Sequence, residues 1–368
     1  MNILILGNGF DIAHGLKTKY TDFLEYCANK LQDPFTYKSS DPYLTNLWIK
    51  HFLRTDKFKG INWIDLEGEI YSVLKFIDKL PSLWGQDYGK IFSINYNDNS
   101  FNFYHIDKYL NGPISINTTC KEYIRTEEHN QIAYIVCFSS KKGIINYLFD
   151  QLRDFTKLFE KYLLDEVLEP MNEQSVYQLS LKSIGVKEND KNVHVLSFNY
   201  TDTCARLYKH KFNTYCALKI KPIYVHGQAL KNNSCELVLG TETFKIDPSK
   251  TPIPDYFNIF QKHYQRHKYQ TIEPYQELIR QIKKSRSIPR FHIIGHSLDK
   301  TDHKILKHIL QAKDDCIINI YFHNEEIQKI LMDRINDIIG EDEVMSKVKF
   351  IHQHDDERSI LKPKNQTT

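Results

Sequence analysis

Residues 2–6, Asn-Ile-Leu-Ile-Leu, are apolar at successive positions and stop at Gly7-Asn8-Gly9. An uninterrupted short apolar run of this kind predicts a strand buried on both faces, as in a parallel sheet. Over about 16–31 the spacing changes: Leu16, Tyr20, Phe23, Leu24 and Cys27 recur at helical intervals. Strand, glycine turn and helix together make the first half of a βαβ unit.

Four later runs have the same buried-strand pattern: Val193–Phe198, Ile223–Val225, Phe291–Ile294 and Ile317–Phe322, with a weaker one at Val348–Ile351. Helical patterns separate several of them, including Asp302–Leu310 and Glu325–Ile339. Between the first strand and Val193 the chain reads mostly helical, over Asn62–Leu80 and Gly143–Leu168, while 85–125, with clustered Asn, Tyr and Phe, reads as an irregular insertion. A further helical tract covers about Asp255–Ser285. The expected fold is α/β and Rossmann-like, a mainly parallel sheet with large, mostly helical insertions. Residues 1–30 and 190–352 would form a nucleotide-binding core and 31–189 an insertion or cap. A second helical insertion would span 245–287, and a polar tail at 353–368 is expected to fray.

Composition narrows the function classes. Lys and Arg number 49 against 46 Asp and Glu, a formal charge of +3 on 368 residues, so no general attraction to nucleic acid or anionic lipid is expected. The densest basic run, Arg280–Arg290 with five cations in eleven residues, fits a solvated helix end. No secretory signal pattern or ~18-residue apolar stretch occurs, so a soluble cytoplasmic protein with no membrane partner is expected. Seven scattered cysteines without a C-x-x-C pair argue against a disulfide framework and a thiolate zinc site.

Polar residues gather where the apolar runs end, which is where open α/β sheets bind ligands. Gly7-Asn8-Gly9-Phe10-Asp11 stands where backbone amides and a helix N-terminus can meet a phosphate, although Ile12 replaces the third glycine of the dinucleotide fingerprint. Ser197-Phe198-Asn199-Tyr200-Thr201-Asp202 offers an amide able to hold a sugar hydroxyl or a water, with Thr201 or Asp202 available as a helix cap. His226 precedes Gly227 after a short apolar run. Gly295-His296-Ser297 begins a polar loop that runs to a helix near Asp302. His296, Asp299, Asp302 and His303 are residue types that bind metals, but a loop and a helix cap explain them more simply, and no metal is expected.

The order GNGFD, SFNYTD, YVHG, LVLGTE and IIGHSLDKTD, with the opening GNGFDIAHGLKTKYTDF and the segment NWIDLE, resembles the AbiH family of phage abortive-infection proteins over roughly residues 1–322. The same order is similar, more distantly, to the sirtuin-like NAD-consuming domains of phage-defence effectors. That resemblance implies catalytic roles for Asn199 and His226. It implies nucleotide binding by Gly7, Gly9, Asp11, Gly295 and Ser297, with NAD as substrate or ligand, and their neighbours in the same polar loops, Asn8, Phe10, Asp202, His296 and Asp302, are candidates for the same binding set. Thr201 stands where the sirtuin-like pattern has Asp, and without a zinc ribbon protein deacetylation is not expected. The implied function is a defence effector that hydrolyses the glycosidic bond of NAD or a related nucleotide, acting as a homo-oligomer or with a defence partner. The alternatives are a non-catalytic nucleotide sensor and an RNA-targeting nuclease.

Overall fold

The computed structural model describes residues 1–31, 46–54, 65–79, 92–95, 102–105, 120–126, 132–138, 141–171, 177–179, 193–213, 221–231, 234–242, 255–353 and 361–363. Its centre is a six-stranded sheet of β1 (Asn2–Leu6), β2 (Val193–Ser197), β3 (Ile223–Tyr224), β4 (Arg290–Ile294), β5 (Ile317–Phe322) and β6 (Val348–His352). The spatial order is β6-β5-β4-β1-β2-β3, and every neighbouring pair is parallel. The chain builds outward from β1 to β3, returns past β1, and builds outward again from β4 to β6. This is the doubly wound Rossmann order, with its switch point between β1 and β4. The expected α/β, Rossmann-like fold is therefore the one the chain adopts.

Both faces of the sheet are covered, which is why its strands read as continuous apolar runs. Ile3, Ile5, Leu196, Phe291, Ile293, Ile318 and Ile320 face one core. Leu4, Leu6, Val193, Val195, Ile294 and Tyr321 face the other. Six helices of this region matter below: α1 (Asn8–Ala13), α2 (Thr203–Asn213), α3 (Lys262–Lys268), α4 (Ile272–Lys284), α5 (His303–Leu310) and α6 (Glu325–Ile339). Leu278 and Ile282 of α4, Ile305 and Ile309 of α5 and Leu331 and Ile335 of α6 close the first core. Phe10 of α1 and Cys204 and Tyr208 of α2 close the second.

The chain divides into two compact units, one of residues 1–19, 160–242 and 262–368, which holds the sheet, and one of 20–159 and 243–261. The second unit contains the helices Tyr20–Leu31, Leu47–Arg54 and Leu66–Lys79 and most of Lys141–Tyr162. Its packing is aromatic: the Phe155 ring lies 5.3 Å from Phe23 and 5.7 Å from Phe52, and Trp48 Nε1 donates to the Leu148 carbonyl at 2.9 Å.

Two expectations need correction. Within 85–125 the chain is not simply irregular, because Phe92–Asn95, Asn102–His105 and Cys120–Thr126 join Ile132–Phe138 in a four-stranded antiparallel sheet. Phe92–Asn95 and Asn102–His105, of four residues each, give too few periods for alternation to stand out, and the antiparallel pairing supplies the order that local pattern does not. In the tail, the described residues Leu361–Pro363 pair antiparallel with Tyr177–Leu179, an order not expected there.

The loops after β1 and β4 cross with almost no space between them. Gly7 N–H donates to the Ile294 carbonyl at 3.1 Å and Gly9 N–H to the Gly295 carbonyl at 2.7 Å. A Cβ on Gly9 would sit 2.8 Å from Gly295 Cα, and one on Gly7 would overlap His296 Cα. Gly295 has φ +63° and faces the Phe10 amide so closely that a Cβ there would overlap it. The glycines expected to admit a phosphate to the backbone instead admit another backbone. Gly295→Ala combines a steric clash with an unfavourable φ and is expected to destabilise the protein by more than about 2 kcal/mol in urea unfolding. A change within about 0.5 kcal/mol, the range of an ordinary surface substitution, would show that the loops do not pack this way.

Candidate active site

The side chains carried just past the carboxyl ends of β1, β2, β3 and β4 converge within the sheet-bearing unit. Beyond β2, Asn199 is buried; its Nδ2 donates to the Gly7 carbonyl at 3.0 Å and its backbone N–H to Ser197 Oγ at 3.2 Å. Its side-chain Oδ1 is buried without a hydrogen-bond partner. Beside it, Asp11 of α1 accepts a short hydrogen bond from Thr201 Oγ1, and Thr203 Oγ1 donates to Thr201 at 3.1 Å. Burial pushes Asp11 up to about 7, outweighing its hydrogen bonds with Thr201, Thr203 and Asn199. This carboxyl is half protonated near neutral pH.

His226 lies two residues past β3 and is buried, with Nε2 3.0 Å from Asp302 Oδ1. Burial pushes the imidazole down to about 4 despite the opposing charge of Asp302. Burial alone would raise Asp302, but Lys262, His226 and His296 together hold it well below the usual carboxylate range. At neutral pH the pair is therefore a neutral imidazole against an ionised carboxylate. The single ring proton then belongs on Nε2, facing Asp302, and leaves a lone pair on Nδ1. His226 Nδ1 is buried and has no hydrogen-bond partner.

His296 approaches the same carboxylate from the β4 loop. Leu298 N–H donates to His296 Nδ1 at 2.9 Å, which sets the tautomer and points Nε2–H toward Asp302 Oδ2, 3.6 Å away. Leu298 holds φ +55° with its side chain fully buried, a strained conformation that fixes this turn. The Phe198 ring stands edge-on to both imidazoles, 5.5 Å from His226 and 4.4 Å from His296. From α3 comes Lys262, 2% exposed, with Nζ 3.6 Å from Asp302 Oδ1.

A second layer holds α3 and the Leu237–Glu242 segment to this cluster. Val238 N–H donates to the His226 carbonyl at 2.8 Å, and Lys262 N–H to the Thr241 carbonyl at 2.8 Å. The Gln265 amide clamps Leu239, accepting from its N–H and donating to its carbonyl, each at 2.9 Å. Arg266 Nη1 pairs with Glu242 Oε2 at 3.2 Å.

Of the residues singled out from sequence, Asn199, His226, His296 and Asp302 meet here, with Gly7 and Asp11 bonded to or beside Asn199. Asp302 does not make the helix cap expected of it: at the N-cap position of α5 its carboxylate makes no cap bond, and it faces the two histidines and Lys262 instead. The cap of the preceding turn falls to Asp299, which accepts from Thr301 N–H at 3.1 Å. Other expected residues do different work. Asn8 is exposed and accepts from Thr18 Oγ1 at 2.6 Å, Phe10 is core, and Asp202 pairs with Arg206 at 2.5 Å. Ser297 is exposed, and its carbonyl accepts from Arg334 at 2.7 Å. The Gly7, Gly9 and Phe10 amides are committed to protein carbonyls, so a pyrophosphate cradle made from them is not available. Sequence reasoning missed Lys262, Arg266, Thr203 and Glu242, although LVLGTE ends on Glu242. Among the described residues, no group of three or more His, Cys, Asp and Glu is arranged to hold a metal ion, and no helix is long and apolar enough to cross a membrane.

Fold and site together define a doubly wound α/β protein with a buried His–Asp pair at the strand ends. The model of the family described as bacteriophage abortive infection AbiH matches residues 3–323, and the chain belongs to that family. Abortive infection of phage is the role this membership gives it. No curated protein and no solved structure matches the chain.

Asp11 provides a stability test. Its folded-state pKa is raised, so the folded form binds the extra proton and loses relative stability as pH rises from about 4 through about 7. Asp11→Asn removes that loss. Between pH 5 and pH 8 its stability relative to the native chain is expected to improve by about 2–3 kcal/mol, read by urea unfolding at both pH values. A pH-independent difference would mean that Asp11 titrates as an ordinary carboxylate.

Proposed function

We propose that this protein carries out its abortive-infection role by hydrolysing the N-glycosidic bond of NAD or a related nucleotide. The observation that carries the reading is His226: a buried, neutral imidazole, oriented by an ionised carboxylate on one nitrogen and unpartnered on the other. A histidine held in this way is arranged to take a proton. The sirtuin-like order of motifs supplies the choice of substrate.

Nicotinamide in NAD is a cationic leaving group, so cleavage needs little general-acid help; an oxocarbenium-like ribose has to be stabilised and water placed against it. In the proposed step the water oxygen bonds to the ribose anomeric carbon while the glycosidic bond breaks. The bonding pair leaves with neutral nicotinamide, and the water proton passes to His226 Nδ1. Asp302 stabilises the imidazolium that results. Asn199 Oδ1 accepts a hydrogen bond from that water or from a ribose hydroxyl.

The test is release of nicotinamide and ADP-ribose from NAD by purified protein. His226→Ala and Asn199→Ala are each expected to lower kcat/KM by at least about 100-fold while the fold is retained. Full activity in either folded variant contradicts the reading, and tight NAD binding with no turnover, unaffected by His226→Ala, would make the site a sensor. The pH profile is a separate check. Because the His226 base sits at about 4, it stays unprotonated on acidification to pH 5.5, and kcat/KM there should be close to its value at pH 7.5. A tenfold loss at pH 5.5 would place the essential base near the ordinary histidine value of about 6.5.

A further inference from the structure

Arg266 is 2% exposed, and its guanidinium is only partly used. Nη1 pairs with Glu242, while Nε and Nη2 are buried with no hydrogen-bond partner. These two nitrogens share one edge of the planar group, and their parallel N–H bonds form the fork that matches two oxygens of a phosphate. Two further buried polar atoms without partners belong to the Glu242 side of the group: Thr241 Oγ1 and Glu242 Oε1. Buried donors are nearly always satisfied, so an unfilled fork in a group with further unpaired polar atoms marks a place for a ligand.

The fork belongs to the His226 neighbourhood. Lys262, one turn earlier on α3, reaches the Asp302 carboxylate that orients His226. Gln265 clamps Leu239, next to the Val238 that bonds the His226 carbonyl. Thr271 ties both sides together, with its N–H on the Arg266 carbonyl and its Oγ1 donating to the Val225 carbonyl at 3.3 Å. Lys262 and Arg266 are balanced by Asp302 and Glu242, so attraction would come from directed hydrogen bonds and not from net charge.

We propose that the Nε/Nη2 edge of Arg266 is the phosphate-binding subsite of this protein. The assignment of that phosphate to a nucleotide rests on the function proposed above. It moves the anion site from the glycine loop, whose amides are committed, to α3. Arg266 also contributes to keeping His226 unprotonated, and a phosphate on the fork would screen that charge and make His226 a stronger base as substrate arrives.

The experiment is calorimetric titration of the purified chain with inorganic pyrophosphate, which contains no glycosidic bond. The native chain should bind it. Arg266→Lys, which keeps the charge but not the fork, should weaken binding at least tenfold, and Arg266→Gln should remove it. Glu242→Gln leaves the fork intact, removes a nearby negative charge and should bind at least as tightly as the native chain, which gives a readout even where the Arg266 variants do not fold. No binding by the native chain, unchanged binding in folded Arg266→Lys, or loss of binding in folded Glu242→Gln overturns the proposal. Pyrophosphate binding lost in Arg266→Lys, with no NAD turnover by the native chain, would leave the subsite standing and remove the hydrolase. NAD turnover without any pyrophosphate binding would do the reverse.

Discussion

One carboxylate organises the site. Asp302 is ionised and largely removed from water, a state that costs on the order of several kcal/mol unless partners replace the lost hydration. The partners are drawn from three parts of the unit: His226 beyond β3, His296 in the β4 loop and Lys262 on α3. Each is fixed in return. His226 is held with its proton on Nε2, His296 is caught between Leu298 N–H and the carboxylate, and the Lys262 ammonium is kept in an interior where lysine is rarely found. Removing Asp302 would leave a buried cation and two unsupported imidazoles, so the cluster holds together as a unit.

The switch point sets where that cluster can form. In a doubly wound sheet the connections leave the two strands at the switch in opposite directions, and the crevice beyond the strand ends is the usual ligand site. Here the loops of β1 and β4 fill part of it by packing glycine against glycine, with Gly9 bonded to Gly295. Polar side chains from the β2, β3 and β4 ends carry the remaining chemistry. Asn199 ties the end of β2 to the β1 loop, because its amide is donated to the Gly7 carbonyl while its oxygen stays unpaired. The Asp11–Thr201–Thr203 chain sits on the same side and brings a carboxyl that changes protonation near neutral pH.

Much of this fold was legible from local pattern because its strands are buried on both faces. Ile317–Phe322 and Glu325–Ile339 begin and end at the residues the pattern predicts. Strand order was not legible, since parallel strands separated by long insertions carry no local mark of their neighbours. Asn199 and His226 could be found because a polar residue just after an apolar run stands out. Lys262 and Arg266 could not: Lys-His-Tyr-Gln-Arg-His-Lys reads as a solvated helix, and only the tertiary fold shows that one face of it is buried. Asp302 was visible as a candidate, but its pairing with the two histidines and Lys262 was not, because an acidic residue at a helix start ordinarily caps the helix. The glycines were likewise visible for the right reason, close approach, but toward a different partner.

The state of the His226 ring tests this account most directly, and ring-nitrogen NMR on the native chain reports it without substrate or trigger. At pH 7 the His226 signals should be those of a neutral imidazole protonated on Nε2, with Nδ1 bare, and should remain so as pH falls to about 5. A ring protonated on Nδ1, or one that titrates near the ordinary value of about 6.5, would mean that Asp302 does not hold a neutral base at this position.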